Sequence, residues 1–215
     1  MNLDRVLKSL LSNPAATGLA GAVAGGLLMS KGGRKLGKRA LEVGGMAALA
    51  GVAYAAWRRY EQGAASEADA TPAQLRDTGF LPSPLAPAAG DDLGTALFRA
   101  MVAAARSDGR LDRVERQQLF AQIEKLELDE AQRAELFAQV ESPVSLDEVV
   151  AAATTKQRAI ELYAASRAAI EPDSAAERGY LALLAARLGL EDELVASIER
   201  ELAAEAAPGP DGRPA

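Results

Sequence analysis

The chain of 215 residues contains no cysteine, no histidine and few aromatic residues: one Trp, four Tyr and four Phe. Without cysteine it forms no disulfide, no thiolate metal site and no cysteine nucleophile. Without histidine it lacks the commonest general base and the usual ligand of zinc, copper and iron. Any bound metal would therefore be a hard cation with oxygen ligands.

Runs rich in Val, Ile or Thr are also scarce, whereas Ala, Leu, Glu and Arg are common. These residues are good helix formers, so the composition favours helix over sheet. With so few aromatic residues, a core must come from many small and aliphatic contacts. We expect an all-α protein.

The charge is divided unevenly along the chain. Residues 1–60 hold nine basic and two acidic residues, a net charge of +7. Residues 61–215 hold 15 basic and 28 acidic residues, a net charge of −13. A basic, apolar head followed by an acidic body is typical of a membrane-associated anchor joined to a separate domain.

The head has the features of a membrane-associated segment. Residues 3–11 have the spacing of a short amphipathic helix, and residues 15–30 carry no charge. Residues 31–39 hold five positive charges, and the apolar run 40–57 ends at Trp57-Arg58-Arg59-Tyr60. Aromatic and basic residues at the end of an apolar run suit a membrane–water interface. We expect residues 15–60 to contact lipid; a flexible tail and a soluble helical hairpin are the alternatives.

Small residues recur every four positions in the head, as at Gly18, Ala22 and Gly26 and again at Gly21 and Gly25. This spacing lets helices pack closely within a bilayer. An alternative function is therefore self-association of the membrane segment into a homo-oligomer.

The rest of the chain divides by composition into three parts. Residues 61–90 hold four prolines and little periodicity, which predicts a linker. Residues 91–205 predict a compact bundle of six to seven short helices, and residues 206–215 predict a disordered tail. Capping-box patterns at Ser145–Glu148 and Ser174–Glu177 mark two of the helix starts. A weak echo between residues 103–130 and 164–192 suggests two helical hairpins related by pseudo-twofold symmetry.

Two motifs in this domain resemble those of tellurite-resistance TerB-like domains. Residues 105–115 (ARSDGRLDRVE) are similar to the signature aDGxlxxxE, and residues 163–190 resemble the second half of that domain. With the Gly-rich head and its KGGRK segment at residues 31–35, the order of motifs is similar to YebE-type bacterial inner-membrane proteins, across nearly the whole chain. The resemblance implies an all-helical domain on a membrane-associated head and no established catalytic activity.

The same resemblance implies a divalent cation site built from acidic residues of both half-repeats. The candidate ligands, for a hard cation such as Ca²⁺, are Asp108, Asp112, Glu115, Asp173 and Glu177. A structural alternative exists for each position. Both Asp112–Glu115 and Ser174–Glu177 fit capping boxes, and Asp108-Gly109 fits a helix-ending turn.

The function expected from the sequence is non-enzymatic. We predict a membrane-tethered interaction module in envelope or metal-stress response, whose acidic domain binds a protein partner or a cation. An enzyme that uses acidic residues is the less favoured alternative. The basic run 31–39 lacks interleaved aromatic residues, so lipid headgroups are its expected partner and nucleic acid is not. We expect the bacterial inner membrane as the location, with the periplasmic side favoured for the acidic domain if residues 40–57 are the only span.

Overall fold

A computed structural model describes residues 45–63, 72–80, 93–109, 130–142, 144–170 and 172–206, with positions 113, 116, 117 and 120. Within these residues all regular structure is helical, which confirms the predicted all-α class. The helices are α1 (Gly45–Gln62), α2 (Pro72–Asp77), α3 (Leu93–Ala105), α4 (Glu130–Glu141), α5 (Leu146–Ala151), α6 (Lys156–Ala169), α7 (Ala175–Arg187) and α8 (Asp192–Ala206).

Side-chain caps fix the starts of three helices. The Glu148 amide donates to the Ser145 hydroxyl at 3.2 Å, and the Ser145 amide donates to the Glu148 carboxylate at 2.7 Å. Helix α7 begins with the same reciprocal pair at Ser174. Helix α6 begins after Thr155, whose hydroxyl accepts from the Arg158 amide at 3.1 Å. Both predicted capping boxes in the described residues are therefore confirmed.

Helix α6 is the centre of the bundle and packs against α1, α3, α7 and α8. Residues Ile160, Tyr163 and Ala164 are buried on it, as their spacing predicts. The Ser166 hydroxyl donates to the main-chain carbonyl of Ala100 on α3 at 3.3 Å. A side chain this short reaches a neighbouring backbone only where two helices lie close together, and the many alanines on both helices permit that approach.

Helix α1 belongs to this bundle. It packs against α6 and α8 and contributes Ala50, Val52, Ala53 and Ala56 to the main core. Helix α1, which lies mostly within the predicted head, thus packs with helices of the predicted acidic domain, and the division of the chain at residue 60 stays a prediction. Within the described part of the predicted span, residues Ala50, Val52, Ala53, Ala55 and Ala56 are buried against other helices. Small side chains suit close packing in a bundle as well as in a bilayer. Of the helices described, none combines the length and the apolar character that crossing a membrane requires.

Each residue of the Trp57-Arg58-Arg59-Tyr60 cluster has a contact within the chain. The Trp57 ring lies 5.8 Å from the Phe80 ring, and the Arg58 guanidinium lies 5.8 Å from the centre of the Tyr54 ring. Arg59 forms an ion pair with Glu201 at 2.6 Å, and the Tyr60 hydroxyl donates to the Glu191 carboxylate. The cluster predicted to lie at a membrane surface thus joins α1 to the rest of the fold.

Part of the predicted linker is folded as well. Helix α2 lies within residues 61–90, and its Leu75 is buried together with Phe80 just beyond it. Gly79, at φ +82°, ends α2, and the Phe80 amide donates to the Leu75 carbonyl at 2.8 Å. This is the hydrogen bond of a Schellman motif, which turns Phe80 back towards the helix. Two apolar residues thus anchor this part of the predicted linker, whereas residues 64–71 and 81–92 lie outside the described residues.

A second, smaller cluster packs on α3. Its buried members Phe98 and Val102 lie on α3, and Val140 comes from α4. The Phe120 and Phe137 rings meet edge to face, 4.8 Å apart. Helix α3 therefore has apolar contacts on both sides. The pseudo-twofold repeat stays a prediction, since most of its first half lies outside the described residues, as do the predicted tail beyond Ala206 and residues 1–44.

Candidate functional site

A groove with a volume of about 430 Å³ opens between α7 and α8, beside the end of α6. Its surface is mainly apolar, with ionisable groups at its edges. We call it the α7–α8 groove, and the residues that line it are Tyr163, Pro172, Arg178, Leu181, Ala182, Ala185, Ala186, Leu190, Asp192, Val195 and Glu199.

The short turn between α7 and α8 sets the floor of the groove. Gly189, at φ +65°, ends α7, and the Leu190 amide donates to the Ala185 carbonyl at 3.0 Å. Leu190 is thereby turned back beneath α7, where it is buried beside Leu181. The apolar floor follows from this Schellman turn, because the turn places the residue after the glycine under the helix that it ends.

Glu199 holds one wall of the groove together. The Arg167 Nε donates to both carboxylate oxygens of Glu199, at 2.9 and 2.7 Å, and the Tyr163 hydroxyl donates to it at 3.3 Å. Burial raises the pKa of Tyr163 well above its usual value, and the Glu199 charge raises it further. The hydroxyl therefore stays protonated at neutral pH and serves as a hydrogen-bond donor that fixes α6 to α8.

Arg178 and Asp192 lie at the edges of the groove. The Arg178 guanidinium donates to the main-chain carbonyls of Pro172 and Asp173, at 3.1 and 2.7 Å. Asp192 is exposed in the first turn of α8, between the exposed residues Glu191 and Glu193. One edge is thus a cation held against the backbone, and another is a run of three carboxylates.

Next to the groove, α7 has an exposed face of small apolar residues. Leu183 is 52% exposed, and among the described residues it is the one large apolar side chain that is exposed. The other exposed apolar and small residues of the helix are Ala175, Ala176, Gly179, Ala182 and Ala186. Two of these, Ala182 and Ala186, also line the groove. The groove and this face therefore form one continuous apolar surface.

The predicted metal ligands fall into two groups. Asp112 and Glu115 lie outside the described residues, whereas Asp108, Asp173 and Glu177 are described. Asp108 is exposed in the turn that ends at Gly109, and Glu177 completes the capping box with Ser174. Across the described residues, no three acidic side chains are grouped so as to hold a metal ion. Divalent cation binding at the five positions stays a prediction.

Sequence reasoning did not find the α7–α8 groove. Leu181 and Leu184, three positions apart, form the buried face of α7. The sequence of α7 does contain a sign of this surface, because it has more apolar residues than one buried face needs. Besides Leu181 and Leu184 it carries Leu183 and five alanines. Apolar side chains beyond a single face indicate a second contact surface.

Comparison with known protein families identifies the family of the chain. The chain belongs to the family described as "Protein of unknown function (DUF533)", whose model matches residues 13–202. No curated protein and no solved structure matches the chain. The matched range includes α1, α2 and the α7–α8 groove, so one family model covers both the predicted head and the acidic bundle.

Proposed function

We propose that this member of the DUF533 family is a non-enzymatic helical interaction module of the TerB-like type. Its α7–α8 groove binds a protein partner, and the chain before α1 tethers it to the bacterial cytoplasmic membrane. The observation that carries the proposal is the groove itself, which continues into the exposed apolar face of α7. Exposed apolar surface of this kind, with polar residues at its rim, marks interaction sites.

The ionisable groups of the groove favour binding over catalysis. Glu199 is held by Arg167 and Tyr163, and Arg178 is held by two carbonyls. Burial and the neighbouring carboxylate raise the pKa of Tyr163, so its hydroxyl stays protonated at neutral pH and the phenolate that would act as a base is not formed. These contacts fix the shape of the groove. A rigid, mainly apolar surface with fixed polar groups at its edges suits recognition of a partner.

The tether is assigned to residues before α1, because α1 itself packs in the bundle. The uncharged run 15–30 and the basic run 31–39 are the sequence features that support it. If α1 is part of the domain, residues 15–30 are the apolar run left for the tether. The basic run 31–39 then lies between this tether and the bundle. By the positive-inside rule this order favours the cytoplasmic side for the domain, in place of the periplasmic side expected from residues 40–57.

Fractionation and cross-linking test the two parts of this function. The full-length protein should sediment with membranes in the absence of detergent, and protease should reach the bundle only after spheroplasts are opened. A photo-reactive residue at Ala186, inside the groove, should give a discrete heavier adduct in cells. Ala203, exposed on α8 and outside the groove lining, is the matched control position. Equal labelling at the two positions would reject the groove as the binding site.

A further inference from the structure

We infer that the partner held in the α7–α8 groove is a basic amphipathic helix. Its apolar side chains would lie between α7 and α8, and its Lys or Arg side chains would face the acidic start of α8. The inference rests on the proposed function and names the chemistry of the partner at that same site. Three observations support it: the negative charge of the surface, the contacts that already hold the basic side chains of this segment, and the shape of the groove.

The charge of the surface is strongly negative. Residues 172–206, which form α7, α8 and the turn between them, contain eight acidic and three basic residues, a net charge of −5. Glu191, Asp192 and Glu193 are consecutive and exposed, and Asp192 lines the groove. The positive end of the α8 dipole offsets only about half a unit charge at this point. The edge of the groove therefore attracts cations.

The three basic residues of this segment are each held elsewhere. The Arg187 guanidinium forms an ion pair with Asp147 at 2.7 Å. Arg178 donates to the carbonyls of Pro172 and Asp173, and Arg200 donates to the Ser197 hydroxyl at 2.9 Å. None of these contacts brings a basic side chain to Asp192. A cation from a partner would supply the charge that the segment itself does not place there.

The shape of the surface fits a helix. The alanines of α7 that line the groove leave little side-chain bulk between the backbone and an approaching partner. Helices pack with their axes about 8–10 Å apart, and the closer distances require small residues. Addition of an extended partner to a sheet edge requires a strand, and the described residues form none. A helix whose anchors recur every three or four residues is the mode of recognition that a groove of small apolar residues favours.

Two synthetic peptides test the inference on the full-length protein. Both are amphipathic 14-residue helices with the same Leu and Ala face, and the polar face carries Lys in one and Glu in the other. Fluorescence anisotropy of labelled peptide in one detergent buffer measures binding. The Lys peptide should bind and weaken as salt is raised, because exposed charges are screened. The Glu peptide should bind at least about tenfold more weakly, a difference of about 1.4 kcal/mol.

Two variants with matched controls locate the site. Asp192→Lys should weaken the Lys peptide about fivefold, since it reverses one exposed charge pair, whereas Glu130→Lys on α4 makes the same charge change away from the groove. Ala186→Gln should weaken the Lys peptide more than tenfold by filling the groove without changing its charge, with Ala203→Gln as its control. Thermal unfolding of each variant shows whether the fold is retained.

The outcomes separate this inference from the proposed function. Equal binding of the two peptides, or equal effects of Asp192→Lys and Glu130→Lys, would overturn the basic-helix partner. A concentration-dependent dimer that Ala186→Gln dissociates, without peptide binding, would instead identify a second copy as the occupant and also overturn it. In both cases an adduct at Ala186 in cells would leave the binding role of the groove intact. Loss of that adduct would reject the proposed function itself.

Discussion

Helices α1 and α7 are both rich in alanine, but their surroundings differ. Helix α1 lies against α2, α6 and α8, and the described alanines from Ala50 onwards are buried. Helix α7 buries Leu181 and Leu184, and most of its alanines are exposed. The difference teaches that alanine content does not identify the surface on which a helix packs. The contacts of the larger residues beside the alanines decide which surface of the helix is packed.

On α1 several of the larger residues are aromatic or charged and contact other parts of the bundle. Tyr54 and Trp57 pack against Phe80, and Arg59 pairs with Glu201. On α7 the corresponding outward residues are Leu183, which is exposed, and Arg187, which pairs with Asp147 at the surface. The comparison therefore predicts large effects of substitutions around α1 and small effects on the outer face of α7.

The largest expected effect is that of Phe80→Ala. Phe80 is fully buried against Tyr54 and Trp57, so its loss should lower the free energy of unfolding by about 3–5 kcal/mol. Leu183→Ala, on the exposed face of α7, should change it by less than about 0.5 kcal/mol. Urea unfolding at constant m value measures both. Similar losses for the two variants would refute the comparison.

A smaller effect is expected at the ion pair between α1 and α8. Arg59→Met should cost about 2 kcal/mol, because it leaves the buried Glu201 carboxylate without its charged partner. The double variant with Glu201→Leu should recover part of that loss. Arg187→Met breaks the exposed pair with Asp147 and should cost less than about 1 kcal/mol. Double-mutant cycles by thermal unfolding check that the Arg59–Glu201 pair contributes more to stability than the Arg187–Asp147 pair.

Glu161 on α6 gives a prediction for pH dependence. Its carboxyl is buried, one of its oxygens has no hydrogen-bond partner among the described residues, and burial raises its pKa well above the usual value. The folded state thus favours the protonated form. That preference stabilises the fold fully below the unfolded pKa and is lost as pH rises through the folded pKa.

Glu161→Gln should therefore be more stable than the wild type at pH 8, and the difference should shrink towards pH 4. Thermal unfolding across this range measures it. Glu193→Gln, at an exposed position on α8, is the control and should follow the wild type. A difference between Glu161→Gln and the wild type that does not change with pH would contradict the buried, protonated carboxyl.

The smallest effects compare two glycines near the groove. Gly179 is exposed within α7, and an added Cβ would meet no atom within 4 Å, so Gly179→Ala should stabilise by about 0.5–1 kcal/mol. Gly189 has the same free space but φ +65°, so Gly189→Ala should destabilise by about 1 kcal/mol. Thermal unfolding measures both changes in stability. Opposite signs would distinguish the effect of helix propensity at Gly179 from the positive φ that the turn requires at Gly189.

The local structure of this chain was largely predictable, because caps and periodicity act over a few residues. Ser145 and Ser174 begin helices, Gly189 ends one, and Leu194, Ile198 and Leu202 are buried as their spacing indicates. The position of α1 was not predictable, since an apolar run of alanines satisfies the patterns of a bilayer helix and of a core helix equally well.

The groove was hidden for a related reason. Its lining combines Tyr163 from α6 with Leu181 from α7 and Val195 from α8, residues that each fit an ordinary core position. The groove arises where residues of three helices come together in the fold, and spacing along any one helix does not indicate that meeting. The capping roles of Glu148 and Glu177 could be predicted from the sequence, whereas the ion pairs of Glu199 with Arg167 and of Glu201 with Arg59 needed coordinates.

Trp57 is the one tryptophan in the chain, and its ring lies 5.8 Å from the Phe80 ring and 6.1 Å from the Tyr54 ring. Its intrinsic fluorescence therefore reports on the junction of α1 with the segment that holds Phe80. The groove between α7 and α8 has no such fluorophore. A red shift of the emission on addition of lipid vesicles, with the helical circular dichroism unchanged, would reveal that α1 detaches while the remaining helices stay folded.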